Sequence, residues 1–131
     1  PVTSSDLYPT CLAAAGLPMN PNQHQDGVNL KPLLDGQGEL SERSLYWHYP
    51  HYNSHPSSVP SSVIRRGDWK LIQTFDPVGL ELYNLKDDIG ESRNLAIQRP
   101  GLVKELLADL DVWRLSVGAE QMRPNPDYEM K

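Results

Sequence analysis

Val63-Ile64-Arg65-Arg66-Gly67-Asp68-Trp69-Lys70-Leu71-Ile72-Gln73-Thr74-Phe75-Asp76-Pro77-Val78-Gly79-Leu80-Glu81-Leu82-Tyr83-Asn84-Leu85 is the stretch that decides the fold. Two groups of turn formers, Gly67-Asp68 and Asp76-Pro77-Val78-Gly79, separate three runs rich in apolar and aromatic side chains. Alternation within the middle run puts Trp69, Leu71, Gln73 and Phe75 on one face and Lys70, Ile72 and Thr74 on the other. In the last run Leu80 and Leu82 share one face, and Tyr83 and Leu85 the opposite one. Connections this short admit only antiparallel pairing. Just upstream, the aromatic run Ser44 to Tyr49 suits a further strand. Residues 50–61 hold three prolines and four serines and read as a long exposed loop. The stretch and its neighbour therefore predict an antiparallel sheet of about four strands.

Downstream, Pro100 to Val117 carries apolar residues at three- and four-residue steps: Leu102 or Val103, Leu106, Leu110, Trp113 and Val117. Pro100 suits the first helical position and Gly118 the stop. Lys104, Glu105, Asp109 and Arg114 fall on the outer side of this helix. The tail from Ala119 to Lys131, with Pro124 and Pro126, reads as extended. Upstream of the sheet, Ser4-Ser5-Asp6 offers caps for a helix over Leu7 to Ala15, closed by Gly16 and Pro18. Cys11 falls on its apolar face, as a buried and inert thiol. A loop over residues 18–29 follows, with Asp26-Gly27 as a turn. Leu30, Leu33 and Leu34 then make one side of a short helical turn ended by Gly36. The class is α+β: an N-terminal helical segment over residues 1–40, then residues 41–131 as a small antiparallel sheet with one long C-terminal helix packed on it. One helix covers one face of a sheet. The other face also carries apolar side chains, which calls for a covering surface from outside the chain.

The 131 residues comprise 38% apolar, 8% aromatic and 22% charged side chains, which excludes collagen, coiled coil and an extensively disordered chain. The net charge is −5 and no basic stripe occurs, so duplex nucleic acid is not an expected partner. No apolar run approaches the roughly 20 residues that span a bilayer. The chain opens Pro1-Val2-Thr3 without a leader pattern and reads as part of a longer chain. A single cysteine excludes an internal disulfide.

Chemistry-bearing residues concentrate in Tyr46-Trp47-His48-Tyr49-Pro50-His51-Tyr52-Asn53-Ser54-His55-Pro56. Three readings stand open. His48, His51 and His55 could ligate zinc, although the prolines break any helical face and no acid occurs over residues 43–67. The aromatics could pack on a neighbouring domain while the histidines make ordinary hydrogen bonds. Or the group forms a polar and aromatic rim for an anionic or sugar-like ligand, His and Tyr supplying donors and the rings flat apolar faces. Arg65 and Arg66 alternate across a strand, so only one can enter a given site; either fork could pair a sulfate or carboxylate. Asp87, Asp88, Glu91 and Asn94 read as turn and cap chemistry, since the calcium-loop pattern is absent. Ser57, Ser58, Ser61 and Ser62 read as loop residues and no nucleophile constellation or phosphate loop is present.

These segments together carry a resemblance. Asp6-Leu7-Tyr8-Pro9-Thr10 continuing to Ala15-Gly16-Leu17-Pro18, then Asp26-Gly27-Val28-Asn29-Leu30, then Tyr46-Trp47-His48-Tyr49-Pro50-His51-Tyr52, then Ile64-Arg65-Arg66-Gly67-Asp68-Trp69-Lys70-Leu71-Ile72, then Glu81-Leu82-Tyr83-Asn84-Leu85-Lys86-Asp87-Asp88 with Glu91 and Asn94-Leu95, resemble the C-terminal part of type I sulfatases, in that family's order. Ile89 stands where the family commonly has proline. The resemblance implies hydrolysis of sulfate esters by a longer enzyme. Its calcium ion and its formylglycine, made in a Cys/Ser-x-Pro-x-Arg motif, belong to the portion preceding this chain. Cys11 is followed by Leu12-Ala13-Ala14 and cannot be that precursor. No catalytic residue, cofactor or metal ligand is carried over to this chain. What the resemblance implies here is a subdomain docked on the missing N-terminal sulfatase domain. His48, Tyr49, His51 and Arg65 are its candidates for bordering a cleft that takes a sulfated carbohydrate or aryl sulfate. A periplasmic, secreted or lysosome-like location is implied as well. A free-standing sulfated-glycan binding module using Trp47, Tyr49, Tyr52 and the histidines, and a small zinc-binding interaction domain, are the alternatives.

Overall fold

The computed structural model describes residues 1–53, 55 and 58–123. The expectations for Ser57 and for the tail beyond residue 123 lie outside them. The chain divides into two units, Pro1–Glu42 and Arg43–Lys131.

The first unit is organised by one buried carboxylate. A single 3-10 turn, Ser4–Asp6, leads into α1 (Leu7–Ala14). Asp6 is fully buried. Its Oδ2 accepts the Thr3 N–H at 2.8 Å and its Oδ1 accepts the Val28 N–H at 2.9 Å. Thr10 repeats the device one turn on. Its hydroxyl donates to the Asp6 carbonyl at 2.6 Å and accepts the Leu30 N–H at 2.9 Å. Together the two side chains fasten the strand-like run Val28 to Leu30 to the start of α1. Gly27 follows from this closeness: a Cβ there would stand 2.2 Å from the Ser5 carbonyl oxygen. The glycine of Asp26-Gly27-Val28-Asn29-Leu30 is thus a close-approach residue as well as a turn residue. Asn29 accepts the Lys31 N–H and starts the short α2 (Lys31–Leu34), which Gly36 ends at φ +66°.

One expectation for this unit is corrected. Cys11 is exposed, and α1 buries Pro9 and Thr10 instead. Apolar residues surround α1 on nearly all sides, so composition does not single out its inner face.

In the second unit, β1 (Ser44–Tyr49), β2 (Ser61–Arg66), β3 (Trp69–Phe75) and β4 (Val78–Asn84) form a four-stranded antiparallel meander in sequence order. The β2–β3 turn is Gly67-Asp68, with Gly67 at φ +56°. The β3–β4 turn needs only Asp76-Pro77, so β4 starts at Val78, two residues before the expected Leu80, and ends one before Leu85. Register aligns Tyr46, Ile64, Leu71 and Leu82 across all four strands. On this row lies α3 (Pro100–Ser116), whose Val103, Leu106 and Leu110 complete the core with Ile64, Leu71 and Leu82. Five of these six are fully buried, each contributing about 1.5–3 kcal/mol of apolar burial. Trp113 stacks on Tyr46 at a centroid distance of 4.9 Å.

Arg114 is the correction here. Expected outside, it is buried, because steps of three, four and four from Val103 carry the inner stripe to position 114. Its guanidinium donates to Gln73 Oε1 at 2.8 Å, pairs with Asp111, and lies 5.7 Å from the Phe75 ring centre.

The two sheet edges differ. Asn94 acts as a substitute strand along β4: its Oδ1 accepts the Leu82 N–H at 3.1 Å and its Nδ2 donates to the Leu80 carbonyl at 3.3 Å. Leu95 N–H adds a bond to the Leu82 carbonyl at 2.8 Å. The acidic run before it builds the approach. Asp88 accepts from the Ser92 N–H and hydroxyl and from the Arg93 N–H. These bonds hold its carboxyl below the ordinary carboxylate range.

Candidate functional site

Pleating sorts the residues singled out in the sequence between two faces. His48 and Arg66 point to the side of α3. Trp47, Tyr49 and Arg65 point to the opposite side. On that opposite side Trp47 and Tyr49 are 46% and 45% exposed, whereas Leu45 and Tyr83 are buried.

His48 is tied internally through both ring nitrogens. Nε2 lies 2.7 Å from the Glu120 carbonyl, which can only accept, so Nε2 carries the proton. Nδ1, at 2.6 Å from Ser62 Oγ, then accepts the hydroxyl proton. Ser62 in turn accepts from Arg114 Nη1 at 3.4 Å. The result is a directed chain from Arg114 through Ser62 and His48 to the backbone that follows α3. The Ser62–His48 distance is that of a nucleophile and its base. Ser62 has no exposed surface, however, so no ester can reach it. The chain holds structure.

Tyr49 continues into the loop after β1, where its ring meets His51 edge-on at 5.6 Å. Tyr52 donates to Asp76, tying the loop to the β3–β4 turn. Asn53 accepts the His55 N–H at 2.8 Å and donates to Ser58 Oγ at 2.8 Å. The rim of His51, Tyr49 and Tyr52 therefore lies at the end of the sheet that carries Ser61, Thr74 and Gly79. Arg65 is four residues along β2 from Ser61, the partner of Tyr49, which is about 13 Å at strand rise. The four candidates thus do not converge. Tyr49 and His51 meet, Arg65 lies on their face at a distance, and His48 lies on the other face.

Arg65 shares a cross-strand row with Leu45, Lys70 and Tyr83. Lys70 Nζ donates to both oxygens of Glu91, each at 2.7 Å. Tyr83 donates to Glu81 at 2.7 Å; burial first, and then this carboxylate, push its pKa up to about 12. The sequence assigns no partner to Lys70 and places Arg114 on the outer side of its helix. Only the Glu91 and Asn94 positions carried a signal, as members of an acidic turn.

A shallow cleft of about 450 Å³ lies among Trp69, Asn84, Asp87, Arg93, Gln98 and Arg99, away from all four candidates. Among the described residues no three His, Cys, Asp or Glu side chains gather as a metal would need. The histidine run does not supply a zinc set, because both nitrogens of His48 are engaged. Among the described residues no donor set gathers for the calcium that the family resemblance implies either. No helix among the described residues is long and apolar enough to cross a membrane.

The second unit is thus an antiparallel meander closed on one side by a C-terminal helix. Residues 2–114 match the family model described as N-sulphoglucosamine sulphohydrolase, C-terminal. A "Sulfatase" of Formosa agariphila is 34% identical over 108 residues, covering 76% of this chain and 19% of its own length. Human "Arylsulfatase A" is 33% identical over 129 residues, covering 82% of this chain and 25% of its own. The solved structure of BT4656 in complex with its substrate D-glucosamine-2-N,6-O-disulfate superposes with a TM-score of 0.67 at 28% identity, over 84% of this chain and 23% of that one. The chain belongs to the sulfatase family, as its C-terminal domain. It spans about a fifth to a quarter of the length of these relatives.

Proposed function

We propose that this chain is the C-terminal portion of an enzyme that hydrolyses sulfate esters of sugars or aryl compounds, and that it completes the fold without catalytic residues of its own. The observation that carries this is the match of residues 2–114 to a family model for the C-terminal region alone, within relatives four to five times longer. Residues 1–40 are then the helical end of the preceding domain with its linker. The open sheet face docks on that domain, and the loop with Tyr49 and His51 borders the substrate cleft. Donors and flat rings there suit a sulfated sugar, the class of substrate named for one relative, or an aryl sulfate. His48 serves this border by holding β1 and the chain after α3 in place. The calcium and formylglycine of the reaction belong to the preceding portion. Such an enzyme works outside the cytoplasm.

The test is an assay of the natural polypeptide and of this chain alone against an aryl sulfate and a sulfated monosaccharide. The expected result is hydrolysis by the former and none by the latter. Turnover by the chain alone would refute the proposal, as would a coding sequence with no sulfatase core ahead of Pro1. Exposed Trp47, Tyr49 and Tyr52 also suit a free-standing glycan module. Specific micromolar binding on a glycan array by the chain alone would favour that reading.

A further inference from the structure

We infer that Arg65 anchors the sheet face away from α3 by taking a carboxylate from the portion of the polypeptide that precedes this domain. This rests on the reading of the chain as the C-terminal part of a sulfatase. It assigns Arg65 to the interface between the two portions and not to the substrate.

The charged side chains nearest Arg65 within the strands are engaged. Arg66, next along β2, donates to Asp109 at 2.7 Å and to Glu105 at 2.8 Å. Lys70, beside Arg65 in the cross-strand row, is spent on Glu91. Glu81 receives the Tyr83 hydroxyl. Arg65 is half-buried, and its one hydrogen bond among the described residues runs from Nε to the Gly67 carbonyl in its own turn, at 3.4 Å. A guanidinium offers five N–H donors in a planar fork. Covering it without a partner would cost the desolvation of a charge. A carboxylate accepts two of those donors side by side and removes that cost.

The surroundings select the occupant. Leu45 and Tyr83, in the same row, are buried, and Val63 and Ile72 stand in the next. An apolar field around one uncommitted cation matches a protein surface with an inset Asp or Glu. Sulfate on a sugar brings a hydrated, polar body that this field does not serve. The rim of Tyr49 and His51 lies about 13 Å away along the strand, too far for one sulfate group to touch both. The length that the relatives carry beyond this domain supplies the surface.

The test uses the natural full-length polypeptide. Arg65→Met is compared with wild type, and Arg93→Met, in the turn before α3, serves as control. Arg65→Met is expected to lower the melting temperature and to speed proteolytic cleavage near the junction of the two portions, while KM of the folded fraction stays as in wild type. A KM about tenfold higher with melting and proteolysis unchanged would equal one lost charge-assisted bond to substrate and would overturn the inference. No change in any readout would overturn it too. Arg65→Lys covers the case in which Arg65→Met does not fold. Treated with a carbodiimide, it should give a cross-link from position 65 to an Asp or Glu upstream of Pro1. A cross-link to a second copy, or none, refutes the inference. Failure of the underlying reading shows separately, as absence of sulfate-ester hydrolysis in wild type.

Discussion

Replacing Arg114 by methionine tests whether a buried cation, and not only apolar packing, joins α3 to the sheet. Methionine keeps most of the aliphatic stem and removes every donor. The bond to Gln73 Oε1 at 2.8 Å is charge-assisted and part-buried, and such bonds contribute about 1.5–3 kcal/mol. The pair with Asp111 adds little, since that carboxylate is 54% exposed and exposed pairs contribute about 0.2–1 kcal/mol. The contact with Ser62 at 3.4 Å is long, and loss of charge over the Phe75 ring removes roughly 0.5–1 kcal/mol more. Methionine recovers part of this by avoiding desolvation of a cation. The net expectation is a loss of about 2 kcal/mol, or ~8–16 °C in melting temperature for a domain of this size. Unfolding is followed by the fluorescence of Trp69 and Trp113, which pack against the core. The double variant with His48→Ala should lose less than the sum of the single losses, because both act through Ser62. A melting temperature within a degree or two of wild type, or strict additivity, would refute the directed chain from Arg114 to His48.

Three further outcomes are expected. Gly27→Ala drives a methyl into the Ser5 carbonyl, a backbone atom that cannot yield, and should destabilise the first unit by about 1–3 kcal/mol; amide exchange at Val28 and Leu30, held by Asp6 and Thr10, should then accelerate. Leu82→Ala removes a fully buried side chain from the centre of the sheet and should cost about 2–5 kcal/mol by urea unfolding. The Asp88 carboxyl has a folded pKa depressed below its usual 3.8, so its stabilisation is complete above that value and is lost as pH falls through the folded pKa. In Asp88→Asn that acid-limb slope should be shallower in stability measured against pH, with the neutral-pH plateau lower.

The sheet was legible because its signals are local. Gly67-Asp68 and Asp76-Pro77 mark turns, and the alternation of Trp69, Leu71, Gln73 and Phe75 tells which face is inward without knowing what lies there. What lies there decides the rest. Arg114 reads as a surface residue until Gln73 and Phe75, some forty positions away, are brought beneath it. Cys11 reads as buried because alanines and leucines flank it, yet the contacts that select the inner face of α1 come from Val28 and Leu30. The loop after β1 shows the same limit for function. Its histidines stand close in sequence, but the pleat sends His48 to the α3 side while Tyr49 goes to the other, and a one-residue step is enough to separate a structural imidazole from a surface ring.

That same step gives the sheet its division of labour. The face toward α3 is closed within the unit: apolar at its centre, and lined at its margins by Arg66 with Glu105 and Asp109 and by Arg114 with Gln73, so each cation there has its partner. The face away from α3 buries Leu45 and Tyr83 but leaves Arg65 with a single long hydrogen bond among the described residues and two large rings half in solvent. A free-standing domain gains little from those two rings, since part of the about 1.5–3 kcal/mol of apolar burial per ring goes unrealised and the patch invites association. A domain made to sit on a larger body gains both the burial and the ion pair on docking. The asymmetry between the two faces is therefore itself an argument that the physical unit of function is larger than this chain. On the proposed reading the junction lies on the side of Arg65 and Trp47.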